Sequence, residues 1–156
     1  MRYTVQNVPT PAVVIDPQIV DRNIQRMAAY VSSRGLGLRP HIKTHKSLEM
    51  ARKQIDSGAI GLTVATVKEA RVMAKLEPEL MLAYPALDRS RALRVGELAK
   101  DINLIVAVDS NLAVNNLASA ASSAGSELGI LVDVDCGFGR TGVQTPEDAL
   151  DIAQTA

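Results

Sequence analysis

The run Arg39-Pro40-His41-Ile42-Lys43-Thr44-His45-Lys46 concentrates nucleophilic and cationic groups, including the only two histidines of the chain. On an extended strand side chains alternate faces, so His41 and Lys43 share one face and Ile42 takes the other. Lys43 falls where strand gives way to loop. In parallel α/β folds that carboxyl end is where active sites assemble. Partial desolvation and neighbouring cations there favour a neutral amine, the form that attacks carbonyls in Schiff-base chemistry. A solvated lysine at a strand end is the plainer reading, and spacing alone leaves both standing. His41 and His45 stand at i, i+4, the spacing of a helical metal pair, but Pro40 and the β-like run argue against a helix here. No further histidine exists to complete such a site.

A second run, Asp133-Val134-Asp135-Cys136-Gly137-Phe138-Gly139-Arg140-Thr141-Gly142, follows an apolar strand pattern. Its glycines spell G-x-G-x-x-G, the letters of a dinucleotide fingerprint. The next helix starts near Pro146, too late to bring its N-terminus to a pyrophosphate, and the acidic residue expected about 20 positions on falls beyond Ala156. The match is discounted. Arg140, flanked by glycines, can be aimed at the strand ends, where a planar and always-charged fork suits an oxyanion or phenolate; an ordinary loop arginine fits the letters equally. Asp133 and Asp135 share a strand face, and a tether for the loop is preferred over a catalytic carboxylate pair. Cys136 has no base beside it and reads as an inert thiol.

These residues need a scaffold, and apolar β-type runs alternate with helical ones along the whole chain. Residues 12–16 read as a short strand. Pro17 suits a helix start, with apolar residues at helical spacing to Val31 and closure at Gly35 and Gly37. Residues 36–43 read as a strand, and Ser47 caps a helix that Gly58 stops. Strand 59–64 then leads to helix 67–76, strand 79–84 to helix 88–100, strand 103–108 to helix 111–124, and strand 128–134 to the glycine-rich loop. Thr145-Pro146 opens a last helix. Such alternation implies parallel βαβ units with right-handed crossovers, an α/β class. The continuously apolar central strands imply cover on both faces. An open doubly wound sheet and a (β/α)8 barrel both remain. About five βα units follow the first helix, whereas a complete barrel has eight in typically about 250 residues.

Composition bounds the function. The 156 residues hold 17 Lys+Arg and 17 Asp+Glu, so no basic excess supports nucleic-acid binding by counterion release or a polybasic membrane contact. Aromatics are 3% with no Trp, too few for base-stacking platforms. One cysteine forbids an internal disulfide, and the N-terminal MRYTVQNVPTP has no apolar core of a signal peptide. No run approaches the roughly 18 to 20 apolar residues of a membrane helix. A reducing, cytoplasmic setting is expected.

Taken together, the segments resemble the D-threonine aldolase and D-serine dehydratase group. It belongs to the fold-type III pyridoxal-phosphate enzymes related to alanine racemase. The matching pieces are Thr10-Pro11-Ala12-Val13-Val14-Ile15-Asp16, then Arg39 to Lys46, Ala65-Thr66 with Glu69-Ala70, Leu82-Ala83-Tyr84-Pro85, Val108-Asp109-Ser110 and Asp133 to Val143. The resemblance implies a barrel, here partial and preceded by the short N-terminal strand and helix. It implies that Lys43 is the lysine that takes pyridoxal phosphate, that Arg140 lies near the cofactor's 3-oxygen, and that His41 is close by. It implies that strand 12–16 pairs into a second, β-rich domain, and that the whole protein is a homodimer acting on small D-amino acids.

Retro-aldol cleavage of D-threonine-like substrates to glycine and an aldehyde is the expected reaction. Dehydration of the D-serine type comes next and racemisation third. A divalent metal beside the substrate β-hydroxyl serves the full-length family, with ligands from the C-terminal domain, so no metal residue is carried over. The chain is less than half the family's usual length and is read as an N-terminal fragment, with weak or no catalysis expected of it alone. Two other readings stand: a non-catalytic protein of the same fold family that binds pyridoxal phosphate, and a nucleotide-binding open sheet using the 137–142 glycines.

Overall fold

A computed structural model describes residues 7–76 and 79–156. The opening of the N-terminal segment, residues 1–6, for which no signal peptide is read, lies outside the described residues. Asp16 caps helix α1 (Pro17–Ser32), its carboxylate accepting from the amides of Gln18 and Ile19, with Pro17 in the first turn. Helix α2 (Leu48–Asp56) starts at Ser47 as expected. There follow β1 (Leu62–Val64), α3 (Val67–Met73) with a 3₁₀ turn at Ala74–Leu76, β2 (Leu80–Leu82) and α4 (Arg89–Leu98). Then come β3 (Leu104–Val108), α5 (Asn111–Ala124), β4 (Gly129–Val132) and α6 (Pro146–Thr155).

The four strands form one parallel sheet in the order β1-β2-β3-β4. Each strand lies beside its successor, with no reversal of direction. A doubly wound sheet needs such a reversal, whereas successive right-handed crossovers without one put all the helices on a single face, as in a barrel wall. The architecture is therefore the N-terminal part of a (β/α)8-type barrel. The expectation of two covered faces gives way. Leu80, Leu82, Leu104, Val106 and Val108 face the helices and are fully buried, while Met81, Ile105 and Leu131 on the other face keep solvent access. Their apolar character suits a barrel interior.

Two predicted strands come out differently. Residues 36–43 pair with β1 only through a His41–Thr63 parallel bridge, with Ile42 N–H donating to Thr63 O at 2.9 Å and Thr63 N–H to Pro40 O at 2.8 Å. Pro40 has no N–H to give a ladder, which shortens it. Residues 12–16 join no strand among the described residues, and Val13, Val14 and Ile15 are exposed. β-branched side chains favour extended backbone but cannot supply a partner strand.

The core lies between the sheet and α2 to α6. Ile42, Ala51, Ala70, Met73, Val95, Val114, Leu117 and Ile152 fill it. Gly96 lets α4 approach α5, since a Cβ there would lie 2.7 Å from Ala120 O. Helix α1 buries no residue and leans on α2 through Lys53 Nζ–Asp21 Oδ1 at 2.6 Å. Among the described residues no helix is long and apolar enough to cross a membrane.

Candidate functional site

The 39–46 run crosses the sheet edge from one end to the other. Arg39 sits at the amino end and pairs with Glu79, which also accepts from Asn103 Nδ2 at 2.8 Å. It ties strand entrances together and takes no part in the site. Ile42 points into the core with no exposure, so His41 and Lys43 share the opposite side, as alternation predicts. Two backbone bonds to Ile42 O, from His45 N at 3.2 Å and Lys46 N at 2.8 Å, then fold the chain into a turn. Lys43 stands exposed at this carboxyl end. The expected partial desolvation is not found, because Lys43 leaves the sheet at its edge and, among the described residues, no strand packs beyond it. Among the described residues its amine has no ion-pair or hydrogen-bond partner.

His41 Nδ1 accepts the backbone N–H of Lys43 at 3.3 Å. Partial burial and the neighbouring Lys43 charge lower its pKa from the ordinary 6.5. In the neutral ring the proton therefore sits on Nε2. His45 Nδ1 accepts from Ser47 N at 3.1 Å, and burial lowers its pKa as well. With both Nδ1 atoms so engaged, the two rings are committed to the turn. The described residues contain no group of three His, Cys, Asp or Glu disposed to hold a metal ion.

The glycine-arginine loop is built on Asp135. Its Oδ1 accepts from the amides of Gly137, Phe138 and Gly139 at 2.9, 2.8 and 3.1 Å, and its Oδ2 accepts from Gln144 Nε2 at 3.0 Å. These donors hold its carboxyl at a pKa of about 2, below the ordinary 3.8. The loop returns beside its own start, where Val134 and Val143 form a parallel bridge. Gly142 is required at that return: its φ is +100° and a Cβ would lie 2.5 Å from Asp135 N. The tether expected of the 133/135 pair thus belongs to Asp135. Arg140 is exposed and stacks over the Phe138 ring at 5.1 Å. Cys136 is a free, exposed thiol whose Sγ lies 3.7 Å from Val134 O.

Lys43 and Arg140 thus stand at the same end of the sheet but on opposite edges, with β1 to β4 between them. One cleft at this end of the sheet contains neither. It holds about 580 Å³ over the ends of β1 and β2 and is lined by Thr66, Lys68, Tyr84, Asp88, Arg91 and Arg94 among others. One residue beside the 43–46 turn escaped the sequence reading as an individual: Glu69, 8% exposed, bonded to Ala65 N at 2.8 Å and paired with Lys46 Nζ at 3.0 Å. Its hydrogen bonds and the Lys46 charge outweigh burial and lower its pKa. The signal was the Thr66-x-x-Glu69 spacing of a capping box.

The sequence model described as "Alanine racemase, N-terminal domain" matches residues 15–156. The 3-hydroxy-D-aspartate aldolase of Paracoccus denitrificans is 32% identical over 152 residues, covering 96% of this chain and 39% of that protein. The D-threo-3-hydroxyaspartate dehydratase of a Delftia species is 33% identical over 156 residues, covering 98% and 40%. The crystal structure of D-threonine aldolase from Filomicrobium marinum superposes with a TM-score of 0.92 at 30% identity, covering 97% of this chain and 41% of that one. The chain spans about two fifths of the length of these relatives. From one-way strand order to sequence match, fold and comparison agree: the chain belongs to the alanine racemase N-terminal domain family.

Proposed function

We propose that this chain is the lysine-bearing part of a pyridoxal-phosphate-dependent lyase of D-β-hydroxy amino acids, cleaving them to glycine and an aldehyde. The observation that carries the reading is Lys43, an unengaged amine at the carboxyl end of a parallel sheet. Relatives named as a D-threonine aldolase and a 3-hydroxy-D-aspartate aldolase support the substrate class.

The residues present fit the cofactor. An aldehyde needs a free amine, and an anionic ring oxygen needs a cationic donor; Lys43 and Arg140 offer these at one end of the sheet. When bound, pyridoxal phosphate supplies a sink for the electrons of the broken Cα bond. His41 anchors the Lys43 backbone through Nδ1 and keeps its proton on Nε2. Asp135 holds the loop that carries Arg140. The described residues offer no metal ligand set, and a divalent metal beside the substrate β-hydroxyl would draw its ligands from outside this chain.

Dehydration is the second reading, favoured by the 33% identity to a hydroxyaspartate dehydratase. Two measurements test the proposal. A visible absorbance band is expected when the chain meets pyridoxal phosphate and is expected to be lost in Lys43→Ala; an identical band in both contradicts it. Product analysis with D-threonine and D-serine on the whole protein separates the reactions. Glycine with an aldehyde supports retro-aldol cleavage, and ammonia with a keto acid supports dehydration.

A further inference from the structure

The 43–46 turn presents two lysines three positions apart, and only one is free. Lys46 adopts φ +50°, the only left-handed non-glycine residue among those described. A left-handed backbone at a residue with a Cβ is disfavoured and persists where its surroundings hold it. Two contacts hold it: the backbone bond from Lys46 N to Ile42 O at 2.8 Å, and the ion pair with Glu69. The carboxylate is nearly buried, Oε1 meets Lys46 Nζ at 3.0 Å, and Oε2 accepts from Ala65 N at 2.8 Å. The Glu69 amide in turn donates to Thr66 Oγ1 at 3.1 Å. One side chain therefore joins the exit of β1, the start of α3 and the end of the 43–46 turn. Lys43 has no such partner.

We infer that Glu69 is a positioning residue that selects which lysine of the turn reacts. An amine in contact with a carboxylate must give up that contact before it attacks a carbonyl. Glu69 engages the Lys46 amine, braces a turn that the backbone bonds to Ile42 O already fold, and leaves Lys43 as the unengaged amine facing the end of the sheet. The inference rests on the reading of Lys43 as the reactive lysine, but its test does not need the cofactor.

Trace acetylation with limiting acetic anhydride, followed by peptide mapping, reads the Lys43:Lys46 labelling ratio. In the wild-type chain Lys43 is expected to lead by about two- to fivefold, the range that a half-exposed ion pair supports. In Glu69→Gln, which keeps the shape and an acceptor for Ala65 N–H, the ratio is expected to fall towards one at unchanged helical circular dichroism. An unchanged ratio in folded Glu69→Gln overturns the inference and leaves the cofactor reading intact. Salt provides the same test without a substitution, because it screens the pair. Lys46 labelling must rise relative to Lys43 as salt is raised, and a flat ratio overturns the inference. A shifted ratio in a chain that takes up no pyridoxal phosphate supports the role of Glu69 and sinks the cofactor reading instead.

Discussion

Asp135 shows how one residue organises a loop. Its carboxylate is lowered to about 2 from the ordinary 3.8, so the ionised form is favoured by the fold. That contribution is fully present above about pH 3.8 and is lost as pH falls through about 2. Asp135→Asn is expected to speed hydrogen exchange at the amides of Gly137, Phe138 and Gly139, read by mass spectrometry; unchanged rates would show that the loop holds itself. His41 and His45 act earlier on the pH scale. Both are lowered from 6.5, so the unfolded chain takes up protons first as pH drops below that value. Stability is therefore expected to decline from about pH 6.5 downward, seen as a falling urea midpoint, and His45→Gln is expected to flatten that decline. Alternation along 39–46 was enough to put His41 and Lys43 on one face and to send Ile42 inward. Glu69 was not legible in the same way, because its Thr66-x-x-Glu69 spacing announces a helix start, while its contact with Lys46 exists only once the 43–46 turn has packed against α3.

At the scale of elements, helix ends were the most legible feature. Ser110 and Gly125 bracket α5 at the bounds the sequence pattern predicts, since a side-chain acceptor and a left-handed cap are local chemistry. Strands were less so. Their ladders are shorter than their apolar runs because pairing depends on the neighbour, as residues 12–16 and 36–43 show. Helix pairing brings its own constraint at Gly96, where α5 leaves no room for a methyl group. Gly96→Ala is expected to cost about 1–3 kcal/mol in denaturant unfolding, by forcing α4 and α5 apart. Leu104→Ala in the central strand β3 is expected to cost about 2–5 kcal/mol, since its side chain is almost wholly enclosed. A cost below about 0.5 kcal/mol at either position would contradict the packing described.

Over the whole molecule, strand order decides the architecture. Sequence alternation established α/β units but left the open sheet and the barrel equal, because both repeat the same βαβ unit; only the neighbour relations β1-β2-β3-β4 separate them. That order gathers the carboxyl ends of all the strands on one side and puts Lys43 and Arg140 there, on opposite edges. It also grades protection: amides of β2 and β3 are expected to exchange slowest, and those of α1, with no buried residue, at least about tenfold faster than those of α5. The claim at the centre is chemical, that Lys43 is the lysine this fold presents to an aldehyde cofactor. Borohydride reduction of the chain mixed with pyridoxal phosphate, followed by peptide mass mapping, tests it most directly. The expected result is a pyridoxyl group on Lys43 that disappears in Lys43→Ala without reappearing elsewhere. Label scattered over the surface lysines, or equal total label in Lys43→Ala, would contradict it.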